Sequence, residues 1–213
     1  MRLFGITGTN GKTTTAWITA AFLDAAYITT VEVFTGKRRF STGYTTPPLK
    51  VLKEIYEEIE EAGKRDCVME VSSHAIHQNR VGFGDVSVFS GGAFTNISED
   101  HLDYHKTMDE YFRVKLCFAE RLGEQGVARG VEIPYVVCVD GEGGERMLAA
   151  CKAIRGLCVV AASRATTRYD LSGLALVGDY NKSNVAVAAA LAEAAGAAPE
   201  KIQAMIPILK PRW

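Results

Sequence analysis

The sequence of 213 residues lacks several features, and each absence excludes a class of protein. No apolar run approaches the roughly 20 residues that a helix needs to cross a bilayer, and no apolar segment with a cleavage site marks a secretory leader. Neither sign of charge dominates, because 24 Lys and Arg residues stand against 25 Asp and Glu residues, so bulk charge attracts neither nucleic acid nor an anionic membrane. We expect a soluble, cytoplasmic protein with no nucleic-acid partner and no membrane insertion.

Cysteine patterns typical of disulfides or metal sites are also missing. The five cysteines are odd in number and include no C-x-x-C pair, and they lie in apolar stretches, which predicts buried free thiols in a reducing compartment. Internal repeats and obvious linkers are missing as well. Hydrophobic residues make up 47% of the chain and charged residues 23%, so a substantial core can form, and we expect a single domain over residues 1–213.

The pattern of apolar residues alternates between strands and helices along the whole chain. Short β-type runs are predicted at residues 3–7, 28–34, 67–71, 86–89, 94–97, 135–139 and 157–161. Helices are predicted at residues 12–26, 49–62, 107–122, 144–154 and 181–195. This alternation predicts a three-layer α/β fold, in which a mainly parallel sheet carries helices on both faces. Ligands of such sheets bind beyond the carboxyl ends of the strands, where the polar motifs fall.

A glycine-rich loop is the strongest local signal. The segment Gly5-Ile-Thr-Gly-Thr-Asn-Gly-Lys-Thr-Thr14 follows a predicted strand and opens a predicted helix. Its glycines allow a tight turn that points amide N–H groups at an anion, and the helix N-terminus adds partial positive charge. Lys12 can reach the outer phosphates of a nucleotide, and the Thr13 hydroxyl can hold Mg²⁺. The strict P-loop spacing fails by one residue, since position 6 is Ile; the alternative is a turn that merely caps a helix.

Lys115 lies on the apolar face of its predicted helix, where a charged side chain is unexpected. At about 100° per residue, it falls in the middle of an apolar face, among Tyr111, Phe112, Phe118 and their neighbours. A lysine is almost never fully buried unless it is paired, so the amine must change its pKa, find a carboxylate or be chemically modified. The alternative is that the aliphatic stem is buried and the amine reaches the sheet edge. Periodicity alone does not decide between the two.

Acidic and histidine residues also follow predicted strands. Glu70 ends one strand and is a candidate Mg²⁺ ligand, although an acid at a strand end is often only solvated. The segment 98–105 contains five ionisable groups, among them His101 and His105. Together with two upstream histidines they suggest a zinc or two-metal hydrolase as a rival function, without the H-E-x-x-H pattern. A third interpretation is that the cluster caps the helix that begins near Thr107.

Several motifs occur in the order found in one family. They are Gly8-Thr-Asn-Gly-Lys-Thr-Thr14, Thr45-Thr46-Pro47, Glu70-Val-Ser-Ser-His-Ala-Ile-His-Gln-Asn-Arg80, Phe94-Thr-Asn-Ile-Ser-Glu-Asp-His-Leu-Asp-Tyr-His105, Lys115, and Gly178-Asp-Tyr-Asn-Lys-Ser-Asn184. This series resembles the P-loop-containing central ATP-binding domain of the Mur ligases, and most of all the tripeptide synthetases among them. The resemblance covers nearly the whole chain.

The resemblance implies an ATP- and Mg²⁺-dependent ligase of peptidoglycan precursor synthesis. Such an enzyme joins an amino acid to UDP-N-acetylmuramoyl-L-alanyl-D-glutamate through an acyl phosphate. The implied ATP contacts are Gly8, Thr9, Asn10, Gly11, Lys12, Thr13, Thr14, Asn181, Asn184 and Arg212. The implied contacts to the UDP-muramoyl-peptide are Thr45, Thr46, Ser72, Gln78 and Arg80. The implied metal ligands are Thr13, Glu70, His101 and Lys115, the last as an N6-carboxylated lysine; Lys12, Glu70, His101 and Lys115 are the implied catalytic residues.

Departures from the family pattern set the remaining expectations. The family's N-terminal UDP-binding and C-terminal amino-acid-binding domains are expected to be absent. Gly91-Gly92 looks like an insertion, and the stretches after Ala26 and over residues 161–176 look shortened. An acidic family motif reads Cys138-Val-Asp140-Gly here, which puts adenine binding in question. A nucleotide-binding module or degenerate paralogue without ligase activity is therefore the main alternative, and the sequence identifies neither the added amino acid nor the oligomeric state.

Overall fold

One eight-stranded sheet organises the chain. The computed structural model describes residues 1–141 and 143–210. The strands are β1 (Arg2–Thr7), β2 (Ala26–Ile28), β3 (Val33–Phe34), β4 (Arg39–Phe40), β5 (Asp66–Glu70), β6 (Phe89–Phe94), β7 (Ile133–Cys138) and β8 (Leu157–Ala162). They are hydrogen-bonded in the order β4-β3-β2-β5-β1-β6-β7-β8. All pairs among β2, β5, β1, β6, β7 and β8 are parallel, and β3 and β4 add an antiparallel edge.

Helices cover both faces of the sheet. They are α1 (Lys12–Leu23), α2 (Leu49–Glu61), α3 (Ser73–His77), α4 (Leu102–His105), α5 (Met108–Arg129), α6 (Gly144–Lys152), α7 (Asp179–Ala194) and α8 (Pro199–Met205), followed by a 3₁₀ turn at Ile206–Ile208. Core residues of α2, α3, α5 and α6 pack on one face, and those of α1 and α7 pack on the other, with α8 behind them. The predicted three-layer α/β fold is confirmed. No helix in the described part of the chain is long and apolar enough to cross a membrane.

The register of the central strands brings the polar motifs together. Ile6 of β1 pairs with Glu70 of β5, and Thr7 pairs with Phe94 of β6. Beyond these pairs, the chain continues the ladder, since the Val71 amide donates to the Ile6 carbonyl (2.8 Å). The strands on both sides of β1 therefore end at the same level, and the loops that follow them share one edge of the sheet.

Several predicted boundaries differ from the structure. The helix predicted to reach residue 26 ends at Leu23, because Asp24 adopts a left-handed conformation (φ 54°) and the chain then enters β2. The single run predicted at 28–34 is a hairpin of β2 and β3. The helix predicted to end at Leu122 continues to Arg129, where Gly130 caps it. Helices α3, α4 and α8 and strand β4 were not predicted, since most of them are too short for a periodic pattern to emerge.

Gly91 and Gly92 do not separate two strands. Both lie inside the single strand β6, which spans the gap between the two segments predicted separately and shares only one residue with each. A Cβ on Gly91 would come within 2.8 Å of the Phe4 ring, and a Cβ on Gly92 within 2.8 Å of the Leu122 side chain. The two glycines therefore let an aromatic side chain and helix α5 approach the sheet closely, each from its own face.

The cysteines are free, but they are not all buried. Cys67, Cys138 and Cys151 are buried and Cys117 is partly buried, whereas Cys158 is exposed. Cys158 belongs to β8, the last strand of the sheet, where fewer elements cover the side chains than at its centre. The prediction of free thiols is confirmed, and the prediction that all five are buried is wrong.

Candidate active site

Two cavities open at the carboxyl edge of the sheet, on either side of the loop between β1 and α1. The larger cavity, about 640 Å³, lies between this loop, the ends of β6, β7 and β8, and the first turns of α7. The smaller cavity, about 260 Å³, lies between the loop, the end of β5, residues 43–46 and helix α5. The loop itself contributes Asn10 and Gly11 to the first cavity and Gly8 and Lys12 to the second.

The main-chain amides of the loop fall into two groups. The amides of Thr9 and Asn10 already donate to Asn96, to its carbonyl (2.9 Å) and to its side-chain oxygen (3.0 Å). The amides of residues 11–14, at the N-terminus of α1, donate to no acceptor in the described part of the chain. Gly11 precedes the helix in a left-handed conformation (φ 80°), and the first turn carries no acidic residue. An anion-binding cradle is therefore narrower than residues 8–14 and centres on the start of α1.

Lys12 and Lys115 approach the same carbonyl from two helices. The Lys12 amine donates to the carbonyls of Gly8 (3.1 Å) and Thr9 (2.7 Å). The Lys115 amine donates to the Gly8 carbonyl (2.7 Å) and lies 4.3 Å from the centre of the Tyr111 ring. Burial lowers the pKa of both amines, and of Lys115 most, with the nearby Lys12 charge acting in the same direction on Lys115.

The structure favours the buried-amine interpretation of Lys115 over the exposed one. The residue is only 1% exposed, and its amine forms no ion pair within the described residues. A buried ammonium without a carboxylate is costly, so the amine is poised to be neutral or to be chemically modified.

Glu70 is a buried acceptor at the end of β5. Its carboxylate accepts hydrogen bonds from the Thr13 hydroxyl (2.7 Å), the Thr30 amide (2.7 Å) and the Thr30 hydroxyl (3.1 Å). Burial raises the pKa of Glu70, while these hydrogen bonds and the charge of Lys12 act in the opposite direction. Thr13 and Glu70 thus place two oxygen atoms side by side at the foot of α1, a donor set that suits Mg²⁺.

The histidines gather beside the small cavity without forming a metal site. The ring centre of His74 lies 5.0 Å from that of His101 and 5.7 Å from that of His105. Within the described residues, no group of three or more His, Cys, Asp or Glu side chains is placed to hold a metal ion, so the hydrolase alternative has no geometric support there. The helix-cap interpretation is wrong, because the side chain of Thr107 caps α5 by accepting from the Glu110 amide (3.1 Å).

Most of the residues predicted to bind the muramoyl peptide line the small cavity. Thr45, Thr46, Ser72 and Arg80 do so. The Thr46 hydroxyl ties the segment to β5, since it donates to the Glu70 carbonyl (2.9 Å) and accepts from the Ser72 amide (3.0 Å).

Gln78 and Arg80 differ in how they face this cavity. The side-chain amide of Gln78 lies outside the lining and donates to the Tyr104 hydroxyl (3.2 Å). Arg80 donates weakly to the Thr46 carbonyl (3.5 Å), and its buried Nε has no partner in the described chain. Arg80 therefore retains hydrogen-bonding capacity at the cavity wall.

The larger cavity is built mainly from residues to which the sequence assigned no role. The Asp140 carboxylate accepts from the Arg164 amide (2.7 Å), the Ser183 hydroxyl (2.6 Å) and the Ser163 hydroxyl. Burial acts to raise the pKa of Asp140, but these hydrogen bonds outweigh it and the pKa is lowered. Tyr180, with 69% of its surface exposed, borders the same cavity. Sequence reasoning missed Ser163 and Arg164; they follow β8 directly, so the rule that ligands bind beyond strand ends could have pointed to them.

Of the two asparagines predicted on the adenine side, Asn184 lines the larger cavity and Asn181 is hydrogen-bonded to it. Asn184 lines the larger cavity and is buried beside Gly11. Asn181 does not line it; its amide donates to the Val177 carbonyl (2.8 Å) and its oxygen accepts from Asn184 (3.3 Å). Arg212 lies outside the described residues.

Residues 6–154 match the model of the Mur ligase middle domain. Curated relatives include the UDP-N-acetylmuramoyl-L-alanyl-D-glutamate--2,6-diaminopimelate ligases of Clostridium perfringens (40% identical over 126 residues) and Corynebacterium efficiens (41% over 150 residues). The alignments cover 57% and 68% of this chain but only 25% and 27% of the relatives. The chain thus spans about a quarter of their length.

Solved structures share the fold over nearly the whole chain. A UDP-N-acetylmuramoyl-L-alanyl-D-glutamate--2,6-diaminopimelate ligase superimposes with a TM-score of 0.79 at 21% identity, covering 99% of this chain and 46% of that one. MurF from Acinetobacter baumannii superimposes with a TM-score of 0.66 at 16% identity, with the same coverage. At these identities the likeness concerns the fold alone.

Proposed function

The chain belongs to the Mur ligase middle domain family, and from this premise we propose that it is the ATP-binding part of an amide-forming ligase. The proposed reaction joins an amino acid to UDP-N-acetylmuramoyl-L-alanyl-D-glutamate at the expense of ATP, in the synthesis of peptidoglycan precursors. Two further domains, one that holds the UDP end and one that brings the amino acid, are proposed to complete the enzyme and to be absent from residues 1–213.

The observation that carries this proposal is the position of the free amides at the start of α1. They lie between a cavity large enough for a nucleoside and a smaller polar cavity that contains both lysines. A polyphosphate bound at these amides has its nucleoside on one side and its terminal phosphate on the other. Asn184 and the Asp140–Arg164 pair are proposed to contact the nucleoside, Asn181 to position Asn184, and Arg212 to reach the phosphates.

The small cavity is proposed to bind the second substrate and to provide the charged group that assists phosphoryl transfer. Thr45, Thr46, Ser72, Gln78 and Arg80 are proposed to hold the muramoyl peptide with its free carboxylate facing the nucleotide. That carboxylate attacks the terminal phosphorus, the bond to ADP breaks, and an acyl phosphate forms. The amino group of the incoming amino acid then attacks the acyl carbon, phosphate leaves, and the amine loses a proton. Lys12 is proposed to offset negative charge on the transferred group.

The oxygen atoms of Thr13 and Glu70 fit Mg²⁺ at one position, and a second position is proposed at Lys115 and His101. Thr13 and Glu70 offer adjacent oxygen atoms, and nucleotide-bound Mg²⁺ needs only one or two protein ligands. The neutral amine of Lys115 is proposed to react with CO₂ and lose a proton, which forms an N6-carboxylated side chain. The resulting anion would hold a second ion together with His101. When bound, Mg²⁺ would neutralise charge on the phosphates.

A nucleotide-binding module without ligase activity is the second candidate. The two candidates share the nucleotide site and differ only in turnover.

Calorimetry with Mg²⁺ and a non-hydrolysable ATP analogue tests the shared claim. Lys12→Ala should weaken binding by about tenfold to 100-fold, the worth of a charged hydrogen bond. Lys53→Ala, which removes an exposed lysine of α2, should leave the affinity unchanged. Equal affinities in both variants would refute the nucleotide site.

Positional isotope exchange tests the ligase claim. With ATP labelled at the β,γ-bridge oxygen and the muramoyl dipeptide present, reversible formation of an acyl phosphate scrambles the label without any amino acid. Scrambling that requires the dipeptide supports the ligase. Binding without scrambling supports the module.

A further inference from the structure

Helix α5 contacts the phosphate loop twice, from two side chains four residues apart. Lys115 donates to the Gly8 carbonyl (2.7 Å), and the Tyr111 hydroxyl lies 3.2 Å from the Thr9 hydroxyl. Residues at i and i+4 share one face of a helix, so the two contacts reach consecutive residues of the loop together. Lys115 belongs to the implied ligand set, whereas nothing in the motifs assigns a role to Tyr111.

The hydroxyl of Thr9 connects the phosphate loop to the segment after β6 and to helix α5. It accepts a hydrogen bond from the Ser98 amide (3.2 Å) and donates to the Ser98 carbonyl (3.4 Å). With its own proton used in this way, Thr9 accepts from Tyr111. Tyr111 thereby links α5 to the loop and to the segment that follows β6.

The ring of Tyr111 is held from several directions. The residue is 1% exposed. The His105 ring stacks on it, with 5.0 Å between ring centres and 26° between planes, and the His105 Nε2 in turn lies 3.0 Å from the Ser73 hydroxyl. The Lys115 amine lies 4.3 Å from the ring centre. A tyrosine fixed in this way presents its hydroxyl in a defined place.

We propose that Tyr111 is a positioning residue, which acts through Thr9 to hold the phosphate loop in its anion-binding form beside Lys115. Tyr111 also lines the small cavity, but the proposed role is exerted through Thr9 and requires no direct contact with nucleotide or metal. This inference rests on the proposed nucleotide site, because it concerns how that site is preorganised.

A double-mutant cycle measured on nucleotide affinity tests the inference. Tyr111→Phe keeps the ring and removes the hydroxyl, and Thr9→Val removes its partner. In the wild-type background, Tyr111→Phe should weaken the affinity for Mg²⁺ and the ATP analogue about threefold to tenfold, the worth of one hydrogen bond. In the Thr9→Val background, the same change should weaken it less than about twofold.

Tyr135→Phe is the matched control. Tyr135 is also fully buried, and its hydroxyl has no partner in the described chain. Its removal should leave nucleotide affinity unchanged, whatever it does to thermal stability.

The outcomes separate the two proposals. If Lys12→Ala leaves binding intact, the nucleotide site itself is refuted. If Lys12→Ala abolishes binding while Tyr111→Phe behaves like Tyr135→Phe, only the positioning role is overturned. Equal effects of Tyr111→Phe with and without the Thr9 hydroxyl also overturn it, because a purely structural tyrosine has no reason to couple to Thr9.

Discussion

The two cavities beside the phosphate loop are built in opposite ways. The small cavity is lined mainly by motifs that follow β1, β4 and β5, together with one face of α5. The larger cavity combines the other side of the phosphate loop and residues 95–98 with scattered residues that follow β7 and β8 and with α7. Motif reasoning therefore found most of the first and little of the second. Local motifs therefore specify the side of the site proposed for phosphoryl transfer, whereas the fold assembles much of the side proposed for the nucleoside.

The largest expected effect concerns the centre of the small cavity. Glu70→Ala removes the acceptor of three hydrogen bonds and leaves the Thr30 amide without a partner. We expect the free energy of unfolding to fall by about 3 kcal/mol, and Mg²⁺ to lose its effect on nucleotide affinity. Denaturant unfolding and calorimetry with and without Mg²⁺ measure the two changes.

Glu58→Ala is the control for Glu70→Ala. Its carboxylate also accepts several hydrogen bonds, but it does so at the surface with Arg38. A stability loss no greater than that of this control would mean that the buried network contributes little.

Arg164 tests whether the two cavities hold different parts of the nucleotide. Arg164→Ala in the larger cavity should weaken ATP binding about fivefold to tenfold and leave tripolyphosphate binding unchanged, because a polyphosphate without a nucleoside does not fill that cavity. Lys12→Ala should weaken the binding of both ATP and tripolyphosphate.

Arg121→Ala, an exposed arginine of α5, serves as the control for Arg164→Ala. Equal weakening of ATP and tripolyphosphate by Arg164→Ala would show that the two cavities do not divide the nucleotide as proposed.

A smaller effect, of opposite sign, is expected at Lys115. Lys115→Met retains the apolar stem and removes the buried amine. We expect the free energy of unfolding to rise by about 1 kcal/mol, which for a chain of this size raises the melting temperature by about 2–4 °C. Scanning calorimetry checks this, and isotope exchange should be lost in the same variant. A marked fall in stability would show that the bond to Gly8 outweighs the cost of burial.

The smallest effect is a pH dependence that originates at Glu70. Because the pKa of Glu70 is raised in the folded protein, its contribution to stability is present below its ordinary pKa, near 4.5, and is lost as the pH rises through the folded value. Glu70→Gln should flatten this part of the profile. Unfolding from pH 4.5 to 8 in both proteins measures it, and parallel curves would contradict the assignment.

Sequence reasoning recovered the layers of the fold because long helices and buried strands have clear periods. It failed where the signal was short or ambiguous: Gly91-Gly92 resembled a break, although these residues pass through the middle of β6. In the site, Glu70 and Lys12 were found by position within motifs. Arg164 was not, since only the folded chain brings it to the same cavity as Asn184. Tyr180 stood in the same motif as Asn184 but was given no role, although a spacing of four residues places both on one face of α7.

The Gly8 carbonyl accepts hydrogen bonds from two lysine amines, and these bonds must be rearranged before either amine can turn toward a ligand. A carbonyl has two lone pairs, and Lys12 and Lys115 occupy both, while Lys12 also bonds Thr9. To turn toward a ligand, Lys12 must release two acceptors, and a weak monovalent anion does not compensate for that release. We therefore expect the loop to bind a polyphosphate, whose charge is dense, more tightly than a small monovalent anion.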